Sequence, residues 1–86
     1  MSRLYNHQQT HISEFGKRLD KLMRKRGVSK SELSKMIGYS QPAIHHWIAG
    51  MCEMRISVFA SVVDALELST SEIAYLMEVF WEGDNG

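Results

Sequence analysis

Apolar residues Ile12, Phe15, Leu19, Leu22 and Met23 recur at steps of three, four, three and one. That is the period of a single buried stripe, and it predicts a first helix from about residue 11 to Arg26, with Gly27 as its end. Ser29-Lys30-Ser31-Glu32 then has the form of a capping box: the Ser29 hydroxyl can accept the Glu32 amide while the Glu32 carboxylate accepts the Ser29 amide. A short second helix follows, with Leu33, Met36 and Ile37 as its inward face. Gly38-Tyr39-Ser40 forms the turn, with glycine where the chain needs a positive φ. Ser40 is a good N-cap, and Pro42 falls in the first turn of a third helix, where its missing amide has no intrahelical acceptor to lose. That helix runs to about Ala49 and is closed by Gly50. Ile44 and Trp47 point inward, while Gln41, Pro42, His45, His46 and Ala49 fall on the other faces.

The loop Met51 to Arg55 leads to a fourth stripe at Ile56, Phe59, Val63 and Leu66, whose start lacks a good cap. Ser69-Thr70-Ser71-Glu72 repeats the capping box and opens a fifth helix with a broad apolar face of Ile73, Leu76, Met77, Phe80 and Trp81, widened by Tyr75 and Val79. A helix at the edge of so small a domain buries only part of such a face within its own chain. The rest is expected to form a subunit interface or to close the core. No strand pattern or internal repeat is present, so the expected class is all-α. The expected organisation is a flexible polar N-terminus over residues 1–10, one domain over 11–82 and a polar tail over 83–86.

Composition narrows the function. The chain has 86 residues, 44% of them hydrophobic and 23% charged, which fits one folded domain and is too apolar for a disordered segment. So short a chain removes only about 60% of its unfolded surface from water, so a partner subunit adds much to its stability. Cys52 is the one cysteine, which excludes an intrachain disulfide and a cysteine-cluster metal site and fits a reducing compartment, with the cytoplasm expected. No apolar run approaches the roughly 20 residues of a membrane span, and MSRLYNHQQTH lacks the apolar centre of a signal peptide.

The net formal charge is zero, but its distribution is uneven. Residues 1–35 hold nine basic residues against three acidic ones, a balance of +6, and residues 36–86 hold only Arg55 against seven acidic ones, a balance of −6. One reading is a basic face turned to a polyanion; the plainer one is a solvated helix surface plus an acidic tail. The same choice applies to Lys21, Arg24, Lys25 and Arg26, which are either a solvated helix end or long-range steering charges.

Two short helices joined by a glycine-containing turn, the second presenting polar side chains in its first two turns, form a helix-turn-helix. In that motif the second helix enters the major groove and amides at the start of the first approach phosphate. The segment FGKRLDKLMRKRGVSKSELSKMIGYSQPAIHHWIAG followed by VVDALELSTSEI resembles the lambda-repressor-like helix-turn-helix family of phage, plasmid and bacterial regulators, also called Cro/C1 or XRE, without gaps from about Phe15 to Ile73. The resemblance rests on Phe15, Leu19, Leu22, Gly27, Ser29, Glu32, Leu33, Gly38, Ser40, Ile44, Trp47, Gly50, Ala65, Leu66 and Ser69. It implies a five-helix bundle, a homodimer, a double-stranded DNA operator as partner, and a common role as repressor of its own or neighbouring genes, without catalysis.

Carried over by position, the family's base-reading places fall on Gln41, Pro42, His45 and His46, and its phosphate-contacting places on Ser29, Lys30 and the loop near Arg55. The expected dimer face is Ile73, Leu76, Met77, Phe80 and Trp81. Gln41 has the donor and acceptor to pair bidentately with adenine N6 and N7, Pro42 offers an apolar edge to a thymine methyl, and His45 lies one turn beyond Gln41. A histidine facing guanine or phosphate would strengthen binding at mildly acidic pH; the alternative for both is a solvated surface side chain. The chain departs from the family at Met54, where relatives often have proline, and in the loop Met51, Cys52, Glu53, which holds no basic or amide residue. Few phosphate contacts predict a shallow salt dependence.

Other classes fit less well. Adjacent histidines on a helix diverge by about 100°, so His45, His46 and Cys52 make a poor zinc site, and no metal or cofactor is expected. Asp20, Glu32 and the histidines lie on separate helical faces, with no nucleophile, base and orienting group together, so no enzyme is expected. The alternative function is a protein-interaction module of the same fold, an antitoxin-like or antirepressor subunit, with its Met-rich loop and C-terminal helix as the contact surface; Ile48, Met51 and Met54 form an adaptable surface for thymine methyls, another subunit or a protein partner.

Overall fold

Capping places the helix ends. In the computed structural model, which describes residues 2–85 and the side chains from His11 to Trp81, the helices are α1 (Ser2–Arg26), α2 (Lys30–Ile37), α3 (Gln41–Ile48), α4 (Ile56–Leu66) and α5 (Thr70–Asn85). They are the only regular structure among the described residues, so the protein is all-α. Both capping boxes form. Glu32 N–H donates to Ser29 Oγ at 3.1 Å and Ser29 N–H to Glu32 Oε1 at 2.8 Å, with the equivalent Ser69 and Glu72 bonds at 3.2 and 2.9 Å. As its sequence predicts, α4 has no side-chain cap: Arg55 holds the N-cap position and makes no capping bond. The backbone of α1 is helical from Ser2, earlier than the stripe predicts. A stripe marks only the residues that are buried, and no glycine or proline interrupts the chain before Ile12. The expectations of a flexible N-terminus and a polar tail concern side chains outside the described residues.

The core is built from the stripes of α1 and α5 closed over the three shorter helices, with Leu19, Leu33, Ile44, Val62 and Leu76 fully enclosed. α1 packs against α5 and α3, and α2 against α3 and α4. Two expected inward positions point elsewhere. Ile56 is 77% exposed, and α4 buries Val58, Val62 and Leu66 instead, leaving Phe59 and Val63 half-buried. α4 carries apolar residues on more than one face, so its sequence permits two registers, and packing on α2 selects the one through Val58. Met36 is 52% exposed because eight-residue α2 turns only Leu33 fully inward.

The opposite charges of the two chain halves meet. Arg18 of α1 donates to the Tyr75 carbonyl of α5, lies 3.6 Å from Glu78, and stacks 4.7 Å over the Tyr75 ring. Arg26 joins Glu72 at 2.6 Å and also donates to the carbonyls of Leu66 (2.9 Å) and Glu67 (3.2 Å), the last acceptors of α4. Lys25 adds a second contact to Glu72 at 3.4 Å, and Arg24 pairs within α1 with Asp20 at 3.0 Å. Lys25 and Arg26 therefore fasten α1 to the α4–α5 corner.

Glu72 sits at the centre of this corner. The Ser69 backbone N–H, and after it the Arg26 guanidinium, hold its carboxyl down to about 2 from an ordinary 4.5. A carboxyl depressed by folding stabilises the fold fully above its unfolded value and loses that contribution as pH falls towards its folded value. Thermal stability is therefore expected to be level above about pH 5 and to fall between pH 4.5 and 2. Thermal melts of Glu72→Gln test this: the variant should melt below the parent at pH 7, and the gap should close near pH 2. A constant gap would contradict the role given to Glu72.

Candidate nucleic-acid interface

α3 is held at both ends. At its start, the Ser40 hydroxyl accepts the Ala43 amide at 3.2 Å, and Pro42 occupies the first turn. The preceding turn is fixed from α2, where the Ser34 hydroxyl donates to the Tyr39 carbonyl, and the Tyr39 ring meets Trp47 edge-on at 5.5 Å. At its end, the amides of Ala49 and Met51 donate to the carbonyls of His45 and His46 at 2.8 and 2.9 Å.

Two glycines set how α3 lies on α1. A Cβ at Gly16 would stand 2.2 Å from the Ile48 carbonyl oxygen and 2.8 Å from that of Trp47, so the side-chain-free face of α1 touches the backbone of α3 directly. Gly50, at φ +77°, would place a Cβ 2.7 Å from Ser13 Cα. α3 thus rests on α1 through backbone at both Gly16 and Gly50. The apolar stripe by itself assigns Gly16 no role, although an isolated glycine within a strong helical stripe is the signal that marks such a contact.

With Ile44 and Trp47 buried on one side, the opposite side of α3 is open. Gln41, Pro42, His45 and His46 are all exposed, and Ala49 follows them with a side chain too small to hold a neighbouring duplex away. The arrangement brings the expected base-reading residues onto one accessible surface. The His45 and His46 ring centres lie 6.2 Å apart with their planes tilted by 55°. Among the described residues no three His, Cys, Asp or Glu side chains are grouped to hold a metal ion.

The phosphate-contacting positions are more mixed. Ser29 is exposed, but its amide is taken by Glu32 and its oxygen accepts from the Glu32 amide, so what it can offer a phosphate is its hydroxyl proton. The Ser29 backbone N–H also holds the Glu32 carboxyl below its ordinary value, keeping a negative charge at the start of α2. Lys30 is half-buried and Arg55 exposed at the start of α4. Among the described residues Lys30, Lys35 and Arg55 form no ion pair, although the charge of Lys35 helps hold the Glu32 carboxyl down, which leaves Lys30 and Arg55 as the available cations on the helix-turn-helix and its following loop. Lys35 is a cation that the family resemblance does not single out.

The five expected dimer residues divide. Leu76 is fully enclosed in the chain's own core, Ile73, Met77 and Phe80 are half-buried, and Trp81 is 60% exposed. No helix among the described residues is long and apolar enough to cross a membrane.

The family model of the Cro/C1-type HTH DNA-binding domain matches residues 18–78, from within α1 to within α5, and so takes in the whole helix-turn-helix. No curated protein and no solved structure matches the chain. The matched span covers more than half of the 86 residues, and the helix order, the capped turn and the open face of α3 agree with it: the chain belongs to the Cro/C1-type helix-turn-helix DNA-binding domain family.

Proposed function

We propose that the protein is a homodimeric transcriptional repressor that reads an operator in the major groove with α3. The observation that carries this reading is the outer side of α3, where Gln41, Pro42, His45 and His46 are exposed together on a helix fastened at both ends. Gln41 pairs with adenine, Pro42 meets a thymine methyl, and the two histidines reach adjoining base edges or phosphate. Lys30, Arg55 and the Ser29 hydroxyl hold the backbone. So few cations give a shallow dependence of affinity on salt, leaving specificity to base contacts and to two half-sites one helical turn apart. Such a protein works where the DNA is, in the cytoplasm.

The proposed subunit face centres on Trp81, flanked by Ile73, Met77 and Phe80, while Leu76 supports it from within. Sedimentation at about ten micromolar should give a dimer, and Trp81→Glu, which would bury an unpaired charge at the seam, should give a folded monomer. A monomeric parent would contradict the face.

Repression is tested separately. A reporter driven by the region upstream of the chain's own reading frame should fall when the protein is supplied and recover with Gln41→Ala; unchanged expression would remove autorepression. A protein-interaction role has one observation in its favour: Met51 is 65% and Ile56 77% exposed beside α3, an apolar surface that base reading does not use.

A further inference from the structure

Between α1, the α3–α4 loop, α4 and α5 lies an apolar cleft of about 250 Å³ that the reading of DNA leaves unused. Phe15, Trp47, Phe59 and Phe80 form its aromatic walls, Met54 and Met77 add flexible thioethers, and among the described residues Glu53 is the one charged side chain lining it. We propose that this cleft binds a small uncharged aromatic molecule of about ten non-hydrogen atoms.

Size and lining choose the occupant. An apolar cavity of about 150 Å³ holds benzene, with six such atoms, so 250 Å³ takes a guest of bicyclic size by the same proportion. Water entering the cleft finds few polar groups, and a bound water needs two to four of them to be held. An anion would meet Glu53 and, among the described residues, no lining cation. Flat aromatic faces prefer offset or edge-on contact, which four ring residues around one space supply, and methionine side chains adjust to the guest's outline.

The cleft's position gives its occupancy a consequence. Trp47 is part of α3, and Met77 and Phe80 belong to the proposed subunit face, so a guest touches both the reading helix and the dimer seam. This link to operator binding rests on the proposed function; binding of the guest does not.

The six methionines provide a built-in assay. With the full chain carrying ¹³C-methyl methionine, indole is titrated to about 5 mM, a range set by the modest affinity of so small a ligand. The Met54 and Met77 methyls should shift along saturating curves, while buried Met23 and exposed Met36 stay in place. Indole-3-carboxylate should bind at least tenfold more weakly. Met54→Trp, which fills the cleft, should abolish the Met77 shift; if that variant does not fold, Ile56→Trp at the exposed rim replaces it. Shifts that rise without saturation, or that move Met36 equally, would overturn the proposal, as would equal affinity for the carboxylate. So would a Met77 methyl that moves on protein dilution alone to the position indole produces, because a second copy would then fill the cleft. No DNA enters the titration, so a protein that binds indole but no operator would lose the coupling and keep the site.

Discussion

Gly16→Ala is expected to destabilise the protein and weaken its DNA binding together. In most helices this change gains about 1 kcal/mol, because alanine is the better helix former. Here the new methyl would lie 2.2 Å from the Ile48 carbonyl oxygen and 2.7 Å from its carbon. The obstacle is backbone, which cannot rotate aside as a side chain can, so α1 and α3 must separate by about an ångström to restore ordinary contact. Overpacking of this kind costs about 1–3 kcal/mol, which in a domain of this length is a fall in Tm of roughly 5–15 °C. The same displacement moves Gln41 and His45 away from base edges, where groups must sit within about 0.5 Å of their productive positions. Circular dichroism melts and anisotropy titrations on one operator duplex measure the two effects. An unchanged Tm would mean that α3 does not rest on α1 through Gly16.

Gln41→Ala should instead leave the fold alone and lower discrimination. Gln41 is exposed at the first position of α3, its side chain takes no part in the cap, and the Ser40 hydroxyl still holds the Ala43 amide. A bidentate contact to adenine supplies about 1–3 kcal/mol of discrimination, so specific affinity should drop by roughly 5- to 150-fold. Affinity for unrelated duplex should hardly change, because phosphate contacts carry that part of binding. Titration of both duplexes at two salt concentrations separates the effects. Equal losses on both would show that Gln41 supports general binding and reads no base.

Capping makes the helix-turn-helix legible in the sequence itself. Ser29, Glu32, Gly38, Ser40 and Pro42 are short-range signals, in which each residue acts on backbone within about four positions, and their predicted bonds form. The outward face of α3 follows from the same local geometry, since Ile44 and Trp47 fix its inward side.

Features that depend on tertiary contacts are harder to read. α4 has apolar residues in two possible stripes, and its sequence does not contain the neighbour that chooses Val58 and Val62 over Ile56. The broad apolar face of α5 is divided between core and surface only by α1 lying against it, which encloses Leu76 and leaves Trp81 out. Charge misleads for the same reason. Counted along the chain, the two halves are polarised, but the pairing of α1 with α5 brings Arg18, Lys25 and Arg26 to Glu72 and Glu78 and leaves a smaller set of cations for a polyanion. Gly16 is visible in a sequence only as the absence of a side chain, and its meaning depends on a helix far along the chain.

Whether α3 reads sequence is decided by selecting binders from a random duplex pool at low and moderate salt, with Gln41→Ala as control. The expected result is a palindromic consensus with half-sites about one helical turn apart, retained at moderate salt and degraded in the variant. Recovered duplexes with no consensus, bound only at low salt and equally by parent and variant, would contradict sequence reading by α3.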